Sequence, residues 1–451
     1  LQPSHRILVD LSAAWRERAG IPLVARHFAW SLSRAPEIET GVLITSIHAH
    51  SVADRYHRQK PLADPLLQDA EFLADALGNA PRTGIELRRR LRALVRLATG
   101  SSFPIIPFER GIFDAVIWEN YFAPSLPASA RTLFDRARMF RTPLTRREII
   151  FRQRAGLVPA RLETRGFDFA VFQNPSLVRV SRGTTKIIRC HDVVPLLRFD
   201  TQPADPHLIH DYYQALDESA KDSHFVCVSE STRDEMISFR PELAPRTSVI
   251  PNSLPVAPAE TARPAGSSLN PGGYFLAVGT IEPRKNYSRL LDGFRHYRHL
   301  AANPRPLVLV ANSGWRSDVE LREIRTGMRE GWLTWLKGVS PERLADLYAG
   351  AHGLVAASVH EGFGYPPLEA AVHGVPSVVS DLKVFRSHLG DAAEYFDPYD
   401  STSLADALLR LGDERRQELS PRALKAAQRF HPDVELAQWR ELFDRLRAEK
   451  R

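Results

Sequence analysis

The chain has 451 residues, 43% hydrophobic and 25% charged, enough apolar side chain for two or three packed domains and too much for a disordered chain. Sixty Lys and Arg against 53 Asp and Glu leave a formal charge of +7. Over this length that is a weak field, which gives no argument for a nucleic-acid partner and suits small anionic ligands or an anionic membrane surface. Only Cys190 and Cys227 occur, which excludes a disulfide scaffold and a cysteine-rich metal site and points to a reducing compartment.

The stretch from Leu1 to Ser12 goes straight into a strand-like run, Arg6-Ile7-Leu8-Val9-Asp10-Leu11, without the basic flank and long apolar core of a signal peptide. No run of about 18 apolar residues occurs anywhere, so no membrane-spanning helix is expected. A loop with Gly20 follows, then a helical pattern from Pro22 to about Arg34, then a strand at residues 41–45. Unbroken apolar runs of this kind belong to strands covered on both faces, as in parallel sheets. From about residue 50 to 156 the alternation is lost, and the chain is Arg-rich with one strand-like run at 113–118. Residues 85–98 place Leu87, Leu91, Leu94, Val95 and Ala98 on one helical face and five arginines on most of the rest. That pattern fits a domain helix with a solvated basic face, and it fits a helix lying on anionic lipid. The alternation returns with strands at 169–172, 186–190, 225–228 and 247–251. His191 and Asp192 stand at the end of the second of these, where a lone histidine is more often structural than ligand-facing. Ser229 is placed to cap the helix after the third.

Residues 256–272 are rich in Pro, Ala, Ser and Gly and read as a linker between an N-terminal unit, 1–255, and a second unit, 273–431. Strands are expected there at 274–278, 307–310, 333–336, 354–357, 377–380 and 394–396, with helical patterns between them. Two such series predict an α/β protein of two doubly wound domains facing across a cleft. Residues 432–450 form one further amphipathic helix, expected to pack back on the first unit.

Two loops of the second unit carry the chemistry. Gly279-Thr280-Ile281-Glu282-Pro283-Arg284-Lys285-Asn286 follows its first strand, at the end where such sheets bind ligands. Adjacent Arg284 and Lys285 suit a diphosphate, although a solvated basic pair has the same spelling. His360-Glu361-Gly362-Phe363-Gly364-Tyr365-Pro366-Pro367-Leu368-Glu369 follows its fourth strand. Pro366 and Pro367 suit the first turn of a helix, and Gly362 and Gly364 let backbone come close to a ligand. Glu361 and Glu369 lie on either side of that turn. They can face one ligand from two sides as acceptors for hydroxyls, or remain surface carboxylates.

Taken together these segments resemble the family 4 (group 1) retaining glycosyltransferases of the GT-B fold, among them bacterial mannosyltransferases of surface polysaccharide synthesis. Glu361 and Glu369 match the family's E-x7-E signature, Val278 to Asn286 its phosphate-binding strand and loop, and Gly374 to Ser380 the following turn and strand. The resemblance implies two Rossmann-like domains and hexose transfer with retention from a nucleotide sugar to a saccharide or lipid-linked saccharide. The donor loop is one associated with GDP-mannose; UDP-sugars and dTDP-sugars stay open. By the same resemblance Glu369 binds the ribose and Glu361 the hydroxyls of the donor sugar. Gly362, Phe363 and Gly364 present amides to sugar or phosphate, Gly279 and Thr280 line the donor loop, and Arg284 and Lys285 hold the diphosphate. His191 contacts the transferred sugar or leaving phosphate, and Asp192 and Gly20 lie on the acceptor side. Many relatives carry Arg after the glycine where this chain has Thr280, which leaves the phosphate charge to Arg284 and Lys285. No Asp-x-Asp occurs and no metal or other cofactor is implied. A sugar-nucleotide epimerase of the same fold and a nucleotide-sugar-binding subunit without activity are the rival readings. The expected location is cytoplasmic, on the inner face of the membrane.

Overall fold

The computed structural model describes residues 4–12, 20–45, 73, 102–108, 111–123, 125–201, 206–254 and 272–450. The basic helix expected at 85–98, most of the basic segment before residue 102, and nearly all of the linker at 256–272 lie outside the described residues.

Among the described residues ten strands precede residue 250: β1 (His5–Asp10), β2 (Ile38–Thr45), β3 (Ser102–Pro104), β4 (Ile106–Pro107), β5 (Arg138–Thr142), β6 (Arg161–Glu163), β7 (Phe169–Phe172), β8 (Thr185–Cys190), β9 (Ser223–Cys227) and β10 (Thr247–Val249). Eight of them form one sheet in the order β10-β9-β8-β7-β1-β2-β5-β4, and β3 pairs with β6 apart from it. The pairs of the large sheet are parallel except β4 with β5. Six strands follow residue 272: β11 (Phe275–Val278), β12 (Leu307–Val310), β13 (Leu333–Leu336), β14 (Gly353–Ala356), β15 (Ser377–Ser380) and β16 (Ala393–Phe396). They form an all-parallel sheet in the order β13-β12-β11-β14-β15-β16. Both sheets are the doubly wound kind, and the strand composition explains why. In β1, Ile7 and Val9 face one core and Leu8 the opposite one, so both faces must be covered by helices. In β11, Phe275 and Ala277 face one core and Leu276 the other.

The helix Pro432–Ala448 packs into the core of the first sheet. Trp439 lies against Phe28 with ring centroids 4.7 Å apart, and Phe443 against Phe169 at 4.8 Å. Its Glu435 pairs with buried Arg189 of β8, whose Nη2 also donates to Asn252 Oδ1 at 2.8 Å. Removing a tryptophan from such a place costs about 3–5 kcal/mol.

Two expectations for the basic segment need correction. Residues 113–118 are not a strand, because the chain is helical from Gly111 through Phe122. Ile117, Trp118, Tyr121 and Phe122 are its buried residues, a spacing of one and four that only a helix puts on one side. The segment also keeps more of the alternation than its composition suggests. β5 joins the sheet parallel to β2, with Arg138 exposed and Met139 buried. Arginines break its apolar run, so the strand is hidden in the sequence. Among the described residues no helix is long and apolar enough to cross a membrane.

Candidate functional site

β11 and β14 are neighbours in the sheet, while the chain leaves β11 toward β12 and β13 on the other side. This is the topological switch point, where the loops after adjacent strands open a crevice. The two chemistry-bearing loops of the sequence are the loops after β11 and β14. A backbone bond from Val359 N to Arg284 O at 3.0 Å ties them together.

The first loop turns tightly. Gly279 sits at φ 153°, a conformation L-residues rarely adopt. Pro283–Lys285 make one short helical turn that ends at Asn286, which adopts a left-handed conformation and donates its Nδ2 to Pro398 O at 2.8 Å. This turn aims Arg284 and Lys285 at Glu361. Lys285 Nζ is 2.5 Å from Glu361 Oε1, and Arg284 Nη1 is 2.8 Å from Glu361 Oε2. Ser358 Oγ donates to Oε1 at 2.6 Å, and Arg284 Nη2 reaches Glu282 Oε1 at 2.8 Å. Burial pushes the Glu361 carboxyl up, but Lys285 and then Arg284 outweigh it and bring it down to about 2. Glu361 is therefore ionised throughout the physiological range. Lys285, Tyr287, Ser358, Glu361, Pro366 and Pro367 line a small cavity of about 20 Å³.

Glu369 lies inside the helix Tyr365–Val372 and accepts a hydrogen bond from Tyr348 OH at 2.6 Å. Burial raises its carboxyl above the ordinary range, with the tyrosine hydrogen bond opposing. The glycine turn between the two glutamates serves close packing across the cleft. A Cβ on Gly362 would stand 2.0 Å from His191 O, and its carbonyl accepts from Ser229 Oγ at 2.7 Å and Thr232 Oγ1 at 3.2 Å. Gly364 has φ 80°, and a Cβ there would meet the Phe385 ring at 2.4 Å. Phe363 packs its ring against Tyr365 and His388, both at 4.8 Å. Gly362→Ala should therefore push the two halves apart at His191. We expect a lowered Tm and a loss of any activity that needs both halves; a differential scan with wild-type Tm would refute the packing argument.

From the first half, His191 reaches the same cleft at the end of β8. Its Nε2 is 3.4 Å from Gln173 Oε1, and burial, reinforced by Arg189, holds its pKa well below the ordinary value. The imidazole is neutral at pH 7. Burial raises the Asp192 carboxyl, with the Arg284 charge opposing from the other half. Further contacts span the halves: His360 Nε2 is 3.0 Å from Glu235 Oε1, and Trp315 Nε1 donates to Thr201 O at 3.0 Å. Gly20 starts the helix Ile21–Ser33 at φ 69°, its carbonyl taken by Val24 N at 3.2 Å. Thr280 is exposed in the loop after β11.

Sequence reasoning missed Gln173, Glu282 and Ser358 and gave Tyr348 no side-chain role. Ser358 stands three residues before Glu361, a spacing that local reasoning could have used. Gln173 carries no motif, and only the adjacency of β7 and β8 brings it to His191.

Residues 260–430 match the family described as Glycosyl transferases group 1. The chain is similar to the O-antigen chain mannosyltransferase B of Escherichia coli, 38% identical over 160 residues that make up 35% of this chain and 42% of that protein. It is also similar to the O-antigen chain mannosyltransferase RfbU of Salmonella typhimurium, 29% identical over 248 residues, or 51% of this chain and 66% of that one. The matches thus span less than two thirds of either relative. Among solved structures, sucrose-phosphate synthase from Thermosynechococcus elongatus superposes with a TM-score of 0.60 over 100% of both chains at 15% identity, a likeness of fold. Residues 260–430 are thus similar to the group 1 glycosyltransferases, and the chain as a whole has the two-sheet GT-B architecture.

Proposed function

We propose that the protein is a retaining glycosyltransferase. In this reading it moves a hexose from a nucleotide diphosphate sugar, GDP-mannose by preference, to a glycan or lipid-linked saccharide in bacterial surface polysaccharide synthesis. The observation that carries this is the cluster of half-buried Arg284 and Lys285 around buried Glu361 at the switch point of the domain similar to group 1, facing His191 and Asp192 across the cleft. The similarity to two O-antigen chain mannosyltransferases supports the choice of sugar and pathway.

Arg284 and Lys285 bind the diphosphate, whose charge needs fixed cations in a site without a metal-binding Asp-x-Asp. The amides of Gly362, Phe363 and Gly364 face sugar or phosphate, beside Gly279 and Thr280 of the first loop. Glu369 accepts from the ribose and Glu361 from the sugar hydroxyls. The acceptor oxygen bonds to the anomeric carbon on the face that the phosphate oxygen leaves, and the departing phosphate takes the acceptor proton. His191, neutral and buried, contributes hydrogen bonds and no charge. Asp192 and Gly20 lie toward the acceptor.

Incubation with a panel of sugar nucleotides, with and without saccharide acceptor, tests the reading. Acceptor-dependent release of nucleoside diphosphate is expected, and thermal shifts with GDP, UDP and dTDP rank the base. Conversion of the donor without acceptor would make the protein an epimerase; binding without turnover would make it a binding subunit. The arginines of 85–98 and the exposed Arg131, Arg138 and Arg154 suit the inner face of the cytoplasmic membrane, whereas Arg141 and Arg152 are buried. Co-sedimentation with vesicles should rise with anionic lipid and fall with salt, and no binding at low salt would leave those faces solvated.

A further inference from the structure

We infer that Glu361 is a built-in competitor for the donor diphosphate: it holds Lys285 and Arg284 between turnovers and reclaims them once the sugar has left. The inference rests on the donor reading above and adds to it a device for product release.

The two cations that a diphosphate needs already face one carboxylate. Lys285 Nζ lies 2.5 Å from Oε1 and Arg284 Nη1 lies 2.8 Å from Oε2. The other arm of Arg284 is engaged by Glu282 at 2.8 Å, so Arg284 has two internal anions and Lys285 one. The cavity beside them leaves about 20 Å³ of water-sized space and opens toward the cleft. A diphosphate that pairs fully with both cations must compete with Glu361 for them.

Opening the pairs has a consequence for the glutamate. Its side chain is only 8% exposed and the cavity beside it admits about one water, so water replaces the lost cations incompletely. With Ser358 Oγ as its remaining donor, at 2.6 Å, it becomes a buried and nearly unpaired carboxylate, which is costly. Hydroxyls of a donor sugar supply what is missing, because each can donate a hydrogen bond to the carboxylate. An intact sugar nucleotide thus satisfies both sides of the exchange. A nucleoside diphosphate satisfies the cations alone and strands the anion. Glu361 thereby favours donor over product: after transfer it has no hydroxyl partner, competes again for Lys285 and Arg284, and expels the diphosphate.

The test is calorimetry of GDP, UDP and inorganic pyrophosphate on the wild-type protein, Glu361→Gln and Glu361→Asp, each checked for folding by circular dichroism. Glu361→Gln keeps the shape and removes the charge. It should bind pyrophosphate and the preferred nucleoside diphosphate about tenfold more tightly, with slower release in stopped flow. Glu361→Asp, whose carboxylate is drawn back by one methylene, should fall between. Equal or weaker binding by Glu361→Gln overturns the inference. If Glu361→Gln does not fold, Glu361→Asp decides by its ligand-induced rise in Tm: a larger rise than wild type supports the competition, and an equal or smaller one overturns it. Lys285→Ala separates the two levels of the argument. Should it bind pyrophosphate as tightly as wild type, or should wild type bind none of the three probes, the donor reading itself fails.

Discussion

Glu361→Gln should lower kcat by roughly 10²-fold or more while the protein stays folded. The carboxylate sits in the loop after β14, 8% exposed, and burial removes most of the water that would otherwise screen it. In the proposed reaction positive charge develops at the anomeric carbon as the phosphate leaves. An ionised group held rigidly beside that carbon helps most at the transition state, and an amide of the same shape does not. In the unliganded protein Lys285 and Arg284 hold the carboxyl at about 2, so kcat/KM should show no acid limb from this residue above pH 5. The pocket carries little core packing at this position, which is why the fold should survive. Steady-state kinetics with the preferred donor checks the result. Turnover at the wild-type rate by folded Glu361→Gln would remove the segment between Glu361 and Glu369 from the chemistry.

Lys285→Ala is expected to weaken nucleoside-diphosphate binding by about tenfold or more. Charge-assisted contacts of this kind contribute roughly 1.5–3 kcal/mol each. The ammonium is held at 16% exposure against Glu361, so its contact with phosphate would be poorly screened. Arg284 stays in place, fixed by Glu282 and by its bond to His360 O at 3.2 Å, and so retains part of the affinity. The substitution removes binding shared by substrate and transition state, so KM for the donor should rise more than kcat falls. Calorimetry with the nucleoside diphosphate measures the loss, and unchanged affinity would take the diphosphate away from this loop.

Much of this molecule was legible in the order of its residues. Runs such as Leu276-Ala277-Val278 and Leu307 to Val310 are apolar on consecutive positions, and a strand must then be covered on both faces; two doubly wound sheets follow. The loops that follow β11 and β14 were legible for a similar reason. Glycine, proline and charge within a few residues of a strand end constrain the backbone locally, and local constraints survive in the sequence. Where the constraint is not local, the sequence was silent or misleading. Residues 113–118 read as a strand, yet their apolar side chains form one helical face because Tyr121 and Phe122, one turn on, are buried with them. β5 was hidden because arginines interrupt its apolar run, and it is a strand because β2 offers it an edge.

The site divides the same way. The residue types at positions 284, 285 and 361 suggested a phosphate and a hydroxyl site before any fold was known. That Glu361 pairs with both cations depends on two loops some 76 positions apart meeting at the switch point. The reason for Gly362 was also hidden. A glycine in such a turn suggests room for a ligand, whereas here a side chain would collide with His191 O of the other half. Sequence spacing determines what a short stretch of backbone can do, because covalent geometry acts over a few residues. Which charges become partners, and how strongly burial makes them felt, was decided only when the two sheets closed on each other, since distance and dielectric are properties of the packed structure.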